Sequence, residues 1–313
     1  MTSPIFAEGL RRSFGDIEAV AGVDLAVNAG EIYGFLGPNG AGKSTTVRML
    51  TTLLRPTGGR AEVAGHDVAK EPNKVRRAIG VALQDAAIDP LMTGNELLHL
   101  QATLHGIRKA DSRRRGAELL ERVGLTDAGA RRVGTYSGGM RRRLDLAMSL
   151  IHEPRVLFLD EPTTGLDPSS RMNLWEEVRR LNKEGTTVFL TTQYLEEADE
   201  LAHRVAIIDG GVIVREGTPA DLKGDVGSPT LRIDVNGADL SAATDVLRSF
   251  GEPRPAREGR AAIGLEDGAV RLAEVVRALD EASISVLHME LDAPSLDDVF
   301  AEATGRRLEG AAE

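Results

Sequence analysis

The pattern of hydrophobic and polar positions is dominated by short apolar runs, each long enough to form one buried strand. Such runs lie at residues 31–36, 79–84, 155–159, 186–192 and 205–208. Polar and amphipathic stretches separate several of them. The clearest, residues 169–183, has Asp167 as N-cap, Pro168 at its first position and Gly185 at its end. Strands that alternate with helices in this way predict an α/β fold, with a mostly parallel sheet covered by helices.

The regions outside this alternation predict further organisation. Residues 5–32 are typical of short strands and turns, and residues 91–151 are predicted to be mainly helical. A composition shift at residues 223–230, rich in glycine, predicts a linker. Residues 231–313 then alternate strands with helices and contain no chemical motif. The strands are expected at 231–235, 260–265 and 283–291, and the helices at 240–250, 270–282 and 296–304. We therefore expect a small C-terminal α+β accessory domain with an interaction or regulatory role.

Composition narrows the functional classes. The chain has 313 residues, of which 42% are hydrophobic, 27% charged and 4% aromatic, as in a globular protein whose core rests on aliphatic side chains. A net charge of −10 argues against a protein whose main partner is nucleic acid. Cysteine is absent, which excludes disulfides. No apolar run approaches the ~20 residues needed to span a bilayer, and the N-terminus does not resemble a signal peptide. We expect a cytoplasmic protein, unless a partner holds it at a membrane.

A glycine-rich loop follows the apolar run 31–36 and fits the phosphate-binding pattern G-x-x-x-x-G-K-[ST]. Its residues are Gly37, Pro38, Asn39, Gly40, Ala41, Gly42, Lys43 and Ser44, and Thr45 continues into a predicted helix. A strand, a glycine turn and a helix N-terminus direct several backbone N–H groups to one point, where the helix dipole also favours anions. Lys43 adds a charge for the β- and γ-phosphates, and the Ser44 hydroxyl can ligate Mg²⁺. The loop predicts a nucleoside triphosphate site.

Two acids follow the apolar run Val156–Leu159. On a buried parallel strand, Asp160 and Glu161 would lie at the carboxyl end, beside the phosphate loop. Asp160 can hold Mg²⁺, directly or through water, and Glu161 can orient and deprotonate the attacking water. The alternative is a strand that ends in two solvated acids.

A second glycine turn, Ser137-Gly138-Gly139, opens a predicted helix and has an anion-binding shape. Taken alone, a plain glycine-rich helix start explains it equally well. The arginine runs 113–115 and 141–143 lie in the same helical region. In so acidic a chain, we expect solvated helix faces there rather than a nucleic-acid patch.

The phosphate loop, Ser137-Gly138-Gly139 and the Asp160-Glu161 pair, in that order, resemble the nucleotide-binding subunits of ATP-binding cassette (ABC) transporters, over residues 5 to 222. The resemblance implies an ABC ATPase domain of the P-loop NTPase class over residues 1–222. This domain would have an antiparallel N-terminal β part and a helical subdomain over about 91–151. The resemblance also implies a stack of Phe14 on adenine, contact of Gln84 with Mg²⁺ and the membrane partner, and a loop from Gly165 to Asp167 that crosses to a second subunit.

The same resemblance implies ATP and Mg²⁺ as cofactors, a head-to-tail homodimer around ATP, and a separate integral-membrane permease that would hold the chain at the inner face of the membrane. Three segments, 136–140, 191–199 and 296–300, look like the daunorubicin-resistance type, which energises drug export. ATPases of lipid, polysaccharide or ion transporters, or of a non-transport regulatory type, stay as alternatives. A DNA-repair ATPase would need long insertions between Ser44 and Ser137, and a translation ATPase would need a second phosphate loop.

Gln193 departs from the family pattern, which has a histidine at this position. An amide can donate a hydrogen bond to the γ-phosphate but cannot exchange a proton near neutral pH, so Glu161 is left as the base. The alternative is a polar residue that merely ends a strand. The predicted catalytic residues are therefore Glu161, Gln193 and Lys43.

Overall fold

The computed structural model describes residues 3–83, 88–254, 256, 259–265 and 270–305. The chain divides into two compact units between Thr218 and Pro219. The strands of the first unit are β1 (Ile5–Phe14), β2 (Ile17–Val27), β3 (Ile32–Leu36), β4 (Gly58–Val63), β5 (His66–Asp67), β6 (Ile79–Ala82), β7 (Val156–Asp160), β8 (Thr187–Thr192), β9 (Arg204–Asp209) and β10 (Val212–Gly217). Its helices are α1 (Lys43–Leu50), α2 (Pro72–Ala78), α3 (Gly94–Leu104), α4 (Lys109–Arg122), α5 (Gly138–Leu150), α6 (Pro168–Lys183) and α7 (Leu195–Leu201).

The main sheet has the strand order β10-β9-β3-β8-β7-β6, and every pairing except that of β10 with β9 is parallel. The predicted mostly parallel sheet is therefore confirmed. Leu36 of β3 is in register with Thr192, and Asp160 of β7 with Thr191. The carboxyl ends of these three strands consequently meet at one edge of the sheet, where the phosphate loop and the two acids begin.

The N-terminal strands form a second, antiparallel sheet in the order β2-β1-β4-β5, as expected for the N-terminal β part. Helices α3, α4 and α5 supply the helical region. Thr93 and Glu96 form a capping box at the start of α3, in which each side chain bonds the backbone N–H of the other residue.

Aromatic residues are few, but four of them meet in the core of the main sheet. Phe189 of β8 lies 5.4–5.6 Å, centroid to centroid, from Tyr33, Phe35 and Phe158. All four side chains are fully buried. The expected aliphatic core therefore also contains a group of aromatic rings in the main sheet, contributed by β3, β7 and β8.

The arginine run 141–143 does not form the solvated face expected from the sequence. Only Arg141 is exposed. The Arg142 side chain is 10% exposed and makes hydrogen bonds to backbone carbonyls described below. Arg143 donates to the Val123 carbonyl oxygen at 2.8 Å, at the end of α4. Successive residues on a helix point about 100° apart, so three in a row cannot all face water.

The second unit contains α8 (Pro219–Asp225), β11 (Thr230–Val235), α9 (Leu240–Leu247), β12 (Arg260–Gly264), α10 (Leu272–Glu281), β13 (Val286–Asp292) and α11 (Leu296–Thr304). Its three strands form an antiparallel sheet in the order β12-β11-β13. The predicted linker 223–230 overlaps the last turn of α8 and the first residue of β11. Helix α8 starts at a proline, and its Leu222 is buried. The glycine-rich composition of residues 223–230 gives no sign that this helix extends into them. Within the described ranges, no helix has the length and apolar content required to cross a membrane.

Candidate active site

The phosphate loop joins β3 to α1, and at two of its glycines, Gly37 and Gly42, a side chain would collide with the backbone. A Cβ on Gly37 would lie 2.4 Å from the Ile208 carbonyl oxygen, and one on Gly42 would lie 2.5 Å from that of Ala19. Gly42 also has a φ of 106°, in the left-handed region. It precedes α1 and provides no side-chain cap, so the first N–H groups of the helix are left for an anion.

Lys43 is buried at the first position of α1. Its ammonium group donates to the carbonyl oxygens of Gly37 at 2.7 Å and Pro38 at 3.1 Å, and lies 3.3 Å from Glu161 Oε1. Burial lowers the pKa of Lys43, and the nearby carboxylates of Glu161 and Asp160 oppose that shift. The loop, the cation and the expected base are therefore joined in one buried cluster.

Asp160 ends β7, and its side chain is 2% exposed. Its Oδ1 atom accepts hydrogen bonds from Ser44 Oγ at 3.3 Å and from Thr191 Oγ1. A hydroxyl and a carboxylate oxygen beside a phosphate loop are the hard donors that Mg²⁺ prefers. These two residues therefore fit the predicted metal role. Gln84, the third predicted metal-binding residue, lies outside the described residues.

Glu161 follows Asp160 in a strained backbone conformation, with a φ of 46°. Its N–H donates to Thr191 at both the carbonyl oxygen and Oγ1, each at 3.1 Å, and its Oε2 accepts from Thr164 Oγ1 at 3.4 Å. The side chain is 6% exposed, which rejects the alternative of a solvated acid. Sequence reasoning missed the role of Thr191; the signal was two threonines at the end of an apolar strand.

Two other predicted nucleotide contacts, Gln193 and Phe14, lie outside the hydrogen-bonded cluster around Lys43. Gln193 directly follows β8 and is half-buried. The preceding residue, Thr192, accepts a hydrogen bond from the Gly37 N–H at 3.3 Å, which holds this strand end against the phosphate loop.

Phe14 ends β1 with 47% of its surface exposed, and the Arg12 guanidinium lies 4.5 Å from its ring centroid. The exposed ring suits a stacking role, but the structure places Phe14 at a strand end of the antiparallel sheet rather than in the Lys43 cluster.

Ser137 is the N-cap of α5, and its Oγ accepts a hydrogen bond from the Met140 N–H at 3.2 Å. Ser137 and Gly138 are exposed, and Gly139 is half-buried, with space for a Cβ limited by Ser170 Oγ at 3.3 Å. In the described part of the chain, no hydrogen bond or ion pair joins these three residues to Lys43, Ser44, Asp160 or Glu161. The segment Ser137-Gly138-Gly139, whose anion-binding role stays a prediction, is therefore largely exposed and separate from the cluster around the phosphate loop.

Asp167 accepts hydrogen bonds from the Ser170 N–H at 3.0 Å and from the Ser169 and Ser170 hydroxyls, which confirms it as the N-cap of α6. The pKa of Asp167 is lowered by these bonds, chiefly those with Ser170. The preceding Gly165 has a φ of 74°. The loop that is expected to cross to a second subunit is therefore an exposed turn, and it ends at Asp167, the N-cap of α6.

Comparisons with known proteins agree with this geometry. The family model "ABC transporter" matches residues 20–164, and the model "ATP-binding protein DrrA1-3-like, C-terminal domain" matches residues 217–304. The chain is 48% identical over 307 residues to the daunorubicin resistance ATP-binding protein DrrA2 of Streptomyces coeruleorubidus, covering 97% of this chain and 95% of the relative. It is also 48% identical over 320 residues to the daunorubicin/doxorubicin resistance ATP-binding protein DrrA of Streptomyces peucetius, covering 100% and 97%.

Among solved structures, a dimeric ATP-binding cassette in a post-hydrolysis state, bound to ADP and Pi, superimposes with a TM-score of 0.64 at 25% identity. The match covers 68% of this chain and 98% of the cassette. With the phosphate loop, the buried acid pair and the outward-facing Ser137 motif in place, the chain belongs to the ATP-hydrolysing, ATP-binding proteins of ABC transporters, and to their daunorubicin-resistance branch.

Proposed function

We propose that this chain hydrolyses ATP with Glu161 as general base and thereby energises a separate membrane permease that exports a drug or another hydrophobic compound. The observation that carries the catalytic part is the buried cluster in which Lys43 contacts both the phosphate loop and Glu161. The names of the two Streptomyces relatives support the export part.

Each residue of the cluster has a definite part in this reaction. The loop N–H groups and Lys43 would bind the phosphates, and Ser44 and Asp160 would hold Mg²⁺. The metal ion, when bound, neutralises charge on the β- and γ-phosphates. Glu161 takes a proton from the attacking water. The Gln193 amide donates to the γ-phosphate and keeps it in place without exchanging a proton.

We infer that two copies close head to tail, so that Ser137-Gly138-Gly139 of one covers the ATP bound to the other. The exposure of Ser137 and Gly138 and the helix start behind them support this arrangement. The dimeric form of the similar cassette is a second support. Phe14, exposed at its strand end, would supply the stack on adenine.

A groove of about 380 Å³ beside the end of β6 suits the permease contact. It is lined by apolar side chains, among them Leu53, Leu83, Ile88 and Met148, and by polar side chains that include Arg76, Asp145 and His105, the C-cap of α3. Leu83 and Ile88 of this lining flank, in sequence, residues 84–87, which include Gln84, the residue that the family uses for this contact. Such docking would keep the chain on the cytoplasmic face of the membrane.

The variant Glu161→Gln tests the catalytic assignment. General-base catalysis is worth ~10²–10⁴-fold, so kcat should fall by about that factor while the affinity for ATP is retained. The matched control is Glu153→Gln, since Glu153 also has a left-handed φ, of 55°, but a side chain that is 72% exposed. Wild-type turnover in Glu161→Gln would refute the role of Glu161. If light scattering found that variant monomeric with saturating ATP and Mg²⁺, the closed dimer would be refuted instead.

A further inference from the structure

Arg142 makes a set of contacts that the proposed chemistry does not use. Its guanidinium donates to three backbone carbonyl oxygens: Nε to Pro162 at 3.0 Å, Nη2 to Asp160 at 2.6 Å, and Nη1 to Leu83. The side chain is 10% exposed, and its nearest carboxylate is Asp145, 3.6 Å from Nη1. A buried arginine whose donors point at backbone oxygens rather than at its counter-ion is organised around those oxygens.

The positions of the three carbonyls are informative. Asp160 and Pro162 are the residues immediately before and after Glu161, so Arg142 grips both sides of the residue that carries the base. Leu83 lies one residue beyond β6, whose last residue, Ala82, pairs with Leu159 of β7. The pairing between β6 and β7 ends at this pair. Just beyond it, the guanidinium donates to the Leu83 carbonyl oxygen that follows β6 and to the Asp160 carbonyl oxygen at the end of β7.

Glu161 needs such support because its backbone is strained. A non-glycine residue in the left-handed region persists only where its surroundings fix it. On one side, Thr191 accepts the Glu161 N–H. On the other, Arg142 holds the two flanking carbonyls. Together they determine the orientation of the peptide units from which the Glu161 side chain extends.

We propose that Arg142 is a positioning residue for Glu161: through the carbonyls of Asp160 and Pro162 it fixes the turn that aims the catalytic carboxylate. The inference rests on the proposed role of Glu161. Because Arg142 belongs to α5, which begins at Gly138, the same residue also connects the helix of the outward-facing motif to the base.

The test is Arg142→Lys, measured by steady-state ATPase kinetics and by ATP binding. Lysine keeps the charge, but its single ammonium group cannot reproduce a planar fork directed at three oxygens. A misplacement of ~1 Å costs ~10²-fold, so kcat should fall by roughly 10- to 100-fold. The KM for ATP and the thermal midpoint should stay near their wild-type values, which a merely structural role would not predict. Arg142→Gln, neutral and shorter, serves as the second variant.

Arg143→Lys is the matched control, because Arg143 lies on the same helix and also donates to backbone carbonyls, but at Val123 and Gly124. It should keep the wild-type kcat. In single-turnover assays, adding Arg142→Lys to Glu161→Gln should cost less than about twofold more, since a base that is absent cannot be misaligned.

Several outcomes would overturn the inference. The first two are a wild-type kcat in Arg142→Lys and a loss of kcat in Arg143→Lys equal to that in Arg142→Lys. The others are a double variant in which the rate losses of the two single variants multiply, and loss of ATP binding in both Arg142 variants. The last would mean that Arg142 maintains the binding unit rather than the base. If Glu161→Gln alone kept its activity, the proposed base would be wrong, whatever the Arg142 variants did.

Discussion

Replacing Asp145 by asparagine should change how stability depends on pH. Relative to the wild type, the free energy of unfolding of the variant should increase as the pH rises. Asp145 lies on α5 with 9% of its surface exposed, and its Oδ2 atom has no hydrogen-bond partner within the described residues. Two effects compete for its charge. Burial raises the pKa of the carboxyl group, and Arg142, 3.6 Å away, lowers it. Burial dominates, because the Arg142 donors are directed at carbonyl oxygens, and the pKa of Asp145 rises from 3.8 to about 6.

The sign and size of the effect follow from linkage. A carboxyl group whose pKa is higher in the folded state binds protons more tightly there. Protonation therefore stabilises the fold fully below about pH 4, and this stabilisation is lost as the pH rises through about 6. The full shift corresponds to about 3 kcal/mol, of which about 1.3 kcal/mol falls between pH 5 and pH 7. An asparagine carries no charge at any pH, so the difference in free energy of unfolding, variant minus wild type, should increase by about that amount over this interval.

Urea unfolding of both proteins at about pH 5 and about pH 7 measures this difference. His105 and His152 line the same groove as Asp145. Burial lowers the pKa of His152 to about 4, so its folded-state charge changes little in this interval. Asp16→Asn, an exposed site with the same change of net charge, is the control. A difference that stays flat, or that falls as the pH rises, would refute the reasoning and show that the Arg142 attraction outweighs burial.

Three further substitutions test the loop and the core. Gly42→Ala places a Cβ 2.5 Å from the Ala19 carbonyl oxygen at a φ of 106°, and should destabilise the protein by about 3 kcal/mol or more and abolish the binding of a fluorescent ATP analogue; normal binding would mean that the loop can move aside. Phe189→Ala empties the centre of the aromatic cluster and should cost about 3–5 kcal/mol in urea unfolding, whereas a cost below about 1 kcal/mol would mean that the cluster collapses into the space. Trp175→Phe removes the Nε1–H that donates to Glu197 Oε1 at 3.0 Å, and should cost about 1–3 kcal/mol because it strips a hydrogen bond from a buried carboxyl group; an unchanged unfolding midpoint would contradict this.

Much of the fold was predictable from local pattern. The strands β3, β7 and β8 and the helices α1 and α6 are near their predicted bounds, because each combines an apolar run or an amphipathic stretch with clear end signals. Helices α2 and α7 were missed. Each has seven residues, too few for a helical period to stand out from its surroundings.

Some residues of the candidate site could likewise be predicted from local sequence, and others could not. The phosphate loop is a contiguous motif, so its residues could be named from sequence. The roles of Thr191 and Arg142 could not, because they depend on acceptors that appear only when β6, β7 and β8 lie side by side. Nothing in a run of three arginines indicates which of them turns inward. Arg142 and Arg143 both turn inward, to backbone carbonyls near the ends of β6 and β7 and at the end of α4, and no local pattern encodes those positions.

The contact between Lys43 and Glu161 has a consequence for the order of events. The ammonium group lies 3.3 Å from the carboxylate of Glu161, the proposed base, and we expect a triphosphate entering the loop to compete for the same cation. Arrival of the triphosphate would then replace one anion by another beside Lys43, which is buried and where an unpaired charge would be costly. If Glu161 is the base, as proposed, nucleotide binding would free its carboxylate from the ion pair with Lys43 before hydrolysis.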